Sequence, residues 1–125
     1  MKLYPLTFDP IFKERIWGGE KLQTELHKPT HQPLIGESWK VSTVKGDVSV
    51  ISNGTLKGTS LQALIEQAPE VLLGSAVYKR FGTDFPLLIK FIDAAQNLSI
   101  QIHPDDALAK AHPAKIGRAS CRERV

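Results

Sequence analysis

Residues 98–106 read LSIQIHPDD, and the order of their side chains is the key to the fold. Leu98, Ile100 and Ile102 are apolar and suited to a strand, while Ser99, Gln101 and His103 between them are polar. Side chains in a strand alternate between faces, so each trio lines one surface, with neighbours about 7 Å apart along the chain. One reading is a half-exposed antiparallel strand whose polar file faces water. The other is a metal site on a rigid strand. Gln101 and His103 offer an amide oxygen and an imidazole nitrogen, both zinc-compatible donors, where a solvent face would ordinarily carry Lys, Glu or Thr.

The segment just before it, FPLLIKFID (85–93), is almost wholly apolar and predicts a strand over 85–92 buried on both faces, joined to 98–103 through the turn-prone AAQN. Lys90 interrupts that apolar run. It either snorkels from a sheet edge, which the sequence favours, or is held in a polar cavity. After the second strand, Pro104 suits the first turn of a short helix through DALAKA, with Asp105 and Asp106 near its positive end. That placement accounts for both aspartates without catalysis.

Further out, SWKVSTV (38–44) and DVSVIS (47–52) are rich in β-formers and are joined through Lys45-Gly46, a hairpin pattern, and Asn53-Gly54 is a second turn. In TSLQALIEQAPEVLLG (59–74), Thr59 and Gln62 have capping-box spacing, and Leu61, Leu64, Ile65 and Ala68 make an apolar stripe. Pro69 predicts two short helices or a kink, with an end at Gly74. Residues 1–36, punctuated by Pro5, Pro10, Pro29 and Pro33, predict loops and one short helix, with Gly18-Gly19 as a turn or a point of close packing.

A chain of 125 residues, 42% hydrophobic, is long enough for one domain with a core. It has no apolar run of membrane-spanning length, and MKLYPLTFDPIF resembles neither a secretory leader nor a transit peptide, so a cytoplasmic location is expected. The net charge of +3 is concentrated in residues 115–125, KIGRASCRERV, leaving 12 basic and 12 acidic groups in 1–114. A neutral body lacks the electrostatic footprint of a nucleic-acid binder, and no membrane partner is expected either. Those last residues also hold three of the five arginines and the lone cysteine, Cys121.

Together these pieces resemble the N-terminal part of type I phosphomannose isomerases, zinc enzymes of the cupin superfamily. The resemblance is carried by RIWGG (15–19), IGESW (35–39) and, above all, FPLLIKFIDAAQNLSIQIHPDD (85–106). It implies a mainly β fold, a partial jelly-roll antiparallel sheet with one or two short helices, and a Zn2+ cofactor held by Gln101 and His103. It implies a small-molecule sugar phosphate as partner, with Ser99, Lys90, Glu37 and Trp17 at its cavity. The reaction implied is interconversion of mannose 6-phosphate and fructose 6-phosphate. Trp17 and Trp39 also suit packing, and Glu37 a turn or an ion pair.

The family's remaining metal ligands and its catalytic groups fall beyond residue 114. His112, on a different element from His103, is no substitute for them. IGRASCRERV resembles the in-frame translation of a sequencing adapter. The expected organisation is therefore 1–114 as the N-terminal part of a cupin-type isomerase catalytic domain and 115–125 as a non-native tail, with the chain itself inactive. A non-catalytic cupin sugar-binding or regulatory module is the alternative.

Overall fold

The computed structural model describes residues 4–98 and 100. Strand β1 (Ile11–Gly19) leads to a short helix α1 (Lys21–Thr24), then to β2 (Ile35–Val41) and the small strands β3 (Thr43–Val44) and β4 (Asp47–Val48). Helices α2 (Leu61–Gln67), α3 (Pro69–Leu73) and α4 (Ser75–Phe81) follow, and β5 (Ile89–Ile92) closes the described part. The main sheet has the order β1-β2-β5, with both pairings antiparallel, and β3 and β4 form a separate hairpin.

The hairpin turns at Gly46, as expected, with φ of +90°, a conformation that costs glycine little because it has no Cβ. Segment 49–51 is sewn between two neighbours. Ser49 N–H donates to Ser42 O (2.9 Å), Leu61 N–H donates to Ser49 O (2.8 Å), and Ile51 N–H donates to Thr59 O (3.0 Å). Those ties shift the start of α2. Thr59 is engaged with Ile51 through its backbone, and the cap falls to Ser60, whose hydroxyl accepts from Ala63 N–H (3.2 Å). Gln62 turns to Glu66 (2.8 Å) instead of closing a capping box. Pro69 opens α3 and Gly74, at φ +81°, ends it, so the two-helix expectation holds.

Further expectations are corrected. The strands expected over 38–44 and 47–52 do not pair as one hairpin: residues up to Val41 belong to β2 in the main sheet, only Thr43–Val44 and Asp47–Val48 pair with each other, and Val50 and Ile51 make isolated bridges elsewhere. The run Ile11–Gly19, read as irregular, is the longest strand of the described residues. Its charged residues Lys13 and Arg15 turn inward while Ile16 is 81% exposed, which inverts the usual apolar-in pattern. Residues 75–81, where the sequence predicts no element, form α4. The strand expected over 85–92 is confined to 89–92 and is not buried on both faces. It pairs with β2 on one side and has no described strand on the other, so Ile89, Phe91 and Ile92 are about half exposed.

The core is built from Trp17 of β1, Leu22 of α1, Ile35 and Trp39 of β2, Ile51, and Leu61, Leu64 and Ile65 of α2. Each large aliphatic side chain sealed there stabilises the fold by about 1.5–3 kcal/mol. The strand expected at 98–103 and the helix after Pro104 lie outside the described residues, apart from Leu98 and Ile100, which belong to neither helix nor strand.

Candidate functional site: a buried carboxylate among cations

Register assembles the site. Lys13 lies directly opposite Glu37 across β1 and β2, and Lys90 lies directly opposite Trp39 across β2 and β5. Opposed residues in an antiparallel pair share a face, and Glu37 and Trp39 are two apart on one strand. Lys13, Glu37, Trp39 and Lys90 therefore occupy one side of the sheet.

At its centre is Glu37, 5% exposed. Lys90 Nζ donates to its Oε1 at 2.9 Å, while Oε2 accepts from Trp39 Nε1 at 2.7 Å and from Arg15 Nη2 at 3.0 Å. Burial alone pushes the Glu37 carboxyl up. The Trp39 hydrogen bond, the bond and charge of Lys90 and the charge of Arg15 outweigh it, so the group sits below the ordinary glutamate value and stays ionised. Lys13 stacks over the Trp39 ring, 5.0 Å from its centroid, and pairs with Asp47.

Of the residues singled out in the sequence, Glu37 and Lys90 are brought together. Lys90, part-buried on β5, turns to Glu37, and the carboxylate supplies the counter-charge that makes its partial burial tolerable, so of the two readings the polar pocket is the one realised. Glu37 is an ion-pair residue. Trp17 is buried but stands outside the cluster. Its ring lies where a Cβ on Gly36 would go, and its carbonyl accepts from Ala95 N–H at 2.9 Å. Ser99, Gln101 and His103 lie outside the described residues.

Sequence reasoning missed Arg15 and Asp93. A buried glutamate in search of partners was the signal for the first. The second ends an apolar run, where a lone acid reads as solvent-facing. In fact Asp93 is 6% exposed, and its Oδ2 accepts from Lys21 N–H at 2.6 Å, which pins the start of α1 to the end of β5. Asp93, Gly19, Lys21, Leu34 and Gln96 border a cavity of about 400 Å³ that Glu37 and Lys90 do not line.

The family model described as phosphomannose isomerase type I, catalytic domain, matches residues 6–120. The mannose-6-phosphate isomerase ManA of Bacillus subtilis (strain 168) is 38% identical over 122 residues, which is 97% of this chain and 37% of that protein. The crystal structure of the mannose 6-phosphate isomerase from Bacillus subtilis superposes with a TM-score of 0.76 at 35% identity, covering 89% of this chain and 34% of the other. A zinc-bound mannose 6-phosphate isomerase gives 0.71 at 31% identity, covering 88% and 28%. The chain thus spans between 14% and 37% of the length of these curated relatives. Its antiparallel sheet with short helices is a portion of the cupin architecture of those structures. With a matching fold and a family match along nearly its whole length, the chain belongs to the type I phosphomannose isomerase family, within the catalytic domain.

Proposed function

We propose that the protein to which this sequence belongs is a zinc-dependent aldose-ketose isomerase that interconverts mannose 6-phosphate and fructose 6-phosphate. The observation that carries the reading is the Glu37 cluster. Among the described residues two cations, Arg15 and Lys90, flank one buried carboxylate and leave one net positive charge, suited to an anionic sugar, at positions where the family resemblance sets the sugar-phosphate cavity. In this reading Lys90, Glu37 and Ser99 bind substrate and Trp17 stands at the approach. Glu37 holds the Lys90 ammonium in place by one donor and leaves its other N–H groups for phosphate or hydroxyl oxygens.

Isomerisation moves a proton between C1 and C2 through an enediol, and needs a base and an electrophile beside the two oxygens. Among the described residues no group of three or more His, Cys, Asp or Glu gathers to hold a metal. The donor chemistry of Gln101 and His103 fits zinc, which when bound supplies Lewis-acid polarisation of the sugar oxygens. Zinc sites ordinarily use three or four protein donors, so the reading assigns the others, with the catalytic base, to residues this sequence does not contain. The isolated chain is then inactive. No helix of the described residues is long and apolar enough to cross a membrane, and a phosphorylated sugar substrate points to the cytoplasm.

The test pairs zinc titration by calorimetry with a coupled fructose 6-phosphate assay. The 125-residue chain should bind zinc weakly and turn over no mannose 6-phosphate, and the full-length protein should be active and lose both zinc and turnover on His103→Ala. Tight one-to-one zinc binding with turnover by this chain would refute the assigned division of ligands. An inactive full-length protein, loaded with zinc, would refute the isomerase reading itself.

A further inference from the structure

Glu37 receives its donors unequally. Among the described residues Oε2 takes two, the Trp39 indole at 2.7 Å and the Arg15 guanidinium at 3.0 Å, while Oε1 takes only Lys90 at 2.9 Å. Arg15 is the looser of the first pair, since its side chain is 37% exposed, whereas Trp39 is 8% exposed. Trp39 is itself clamped. Its backbone pairs with Ile11 and with Lys90, and Lys13, tied to Asp47, covers its ring. An indole N–H is a donor that never ionises near neutral pH, so it satisfies a buried oxygen without cancelling charge. A third cation in its place would bind Glu37 as well but would change the charge of the cavity.

We infer that Trp39 is a positioning residue. Its indole N–H fixes the Glu37 carboxylate through Oε2, so that Oε1 is left aimed at Lys90 and the ammonium is presented to the sugar phosphate with the net positive charge intact. This rests on the reading of Glu37 and Lys90 as cavity residues, and it extends that reading to a side chain whose burial alone would make it a packing aromatic. Among the described residues the groups facing Glu37 are Lys13 and Arg15 from β1, Trp39 from its own strand and Lys90 from β5.

The experiment is carboxyl and indole NMR on the whole chain, with no substrate present. The protein has two tryptophans, Trp17 and Trp39, so the two indole protons are readily told apart. In the wild-type chain the Trp39 indole proton should shift with pH in step with the Glu37 carboxyl carbon, and that of Trp17 should not. In Trp39→Phe the Glu37 midpoint should move upward, because a donor that favours the ionised form is gone. In Lys13→Met, which uncovers the ring but keeps the indole, the Trp39 proton should still follow Glu37. A packing role alone would lower the melting temperature of the variants and leave the Glu37 midpoint in place. An unmoved midpoint in folded Trp39→Phe overturns the inference, and so does a wild-type Trp39 indole proton that ignores the Glu37 titration, even where the Phe variant fails to fold. These readouts need neither zinc nor activity. If they succeed while mannose 6-phosphate turnover fails in the full-length protein, the functional reading falls and the positioning of Glu37 stands.

Discussion

Gly18→Ala should be among the most damaging single-methyl additions in the sheet. A Cβ at Gly18 would lie 2.4 Å from Leu34 O and 2.6 Å from Gly36 N, both backbone atoms, so no side chain can swing away to make room. The strand would have to move by about 1 Å to restore ordinary contact, an overpacking cost of about 1–3 kcal/mol. The carbonyl being pushed is also the acceptor for Arg15 N–H at 2.9 Å, and weakening that bond adds about 1 kcal/mol. Replacing glycine stiffens the unfolded chain and returns about 0.4–1 kcal/mol, for a net loss of about 2–3 kcal/mol. In a domain near 100 residues this lowers Tm by about 10 °C. Thermal unfolding followed by far-UV circular dichroism measures it directly. A fall of less than about 2 °C would show that β1 and the 34–36 segment are not in the close contact described, and the account of β1 as a strand packed backbone to backbone would fail.

Glu37→Gln should destabilise the chain by about 2 kcal/mol in urea, because Lys90 stays part-buried without its counter-charge. The same carboxylate makes stability depend on pH. Its folded-state value is depressed, so its contribution is complete above the ordinary value of 4.5 and is lost as pH falls through the lowered one. Tm measured from neutral pH downward should drop more steeply for the wild type than for Glu37→Gln, and parallel curves would contradict the ion-pair description. Ser60→Ala should cost about 1 kcal/mol through the lost cap of α2, whereas Thr59→Ala should leave the cap intact. Equal losses in the two variants by urea denaturation would return the cap to Thr59.

How much of this was legible in the sequence varies by element, for physical reasons. Lys45-Gly46 and Pro69 act locally. A positive φ and a missing N–H declare themselves wherever they occur, and both elements appear where expected. Strand β1 was hidden because the partners of Lys13 and Arg15, Asp47 and Glu37, are 34 and 22 residues away, and only they make it reasonable for charges to face inward. Helix α4 was hidden because Gly74, which ends α3, also begins α4, and a glycine reads as a stop. Glu37 and Lys90 were legible as candidates through the family motifs, while Arg15 and Trp39 needed the register that sets them around one carboxylate. Gln101 and His103 rest on sequence and resemblance alone.

The order β1-β2-β5 also sets a timetable. Strand β2 finds its first partner already synthesised, but its second emerges only after the helices, roughly 50 residues later, which at about 5–20 residues per second is an interval of roughly 2–10 s. Throughout it, the second edge of the strand that carries Glu37 and Trp39 is bare, and the pairing that relieves it spans a large sequence separation and closes slowly. A nascent chain of this design is most open to wrong pairing while its helical segment is being made. Slowing synthesis across residues 60–88 should therefore raise aggregation, and the same delay after β5 has emerged should not.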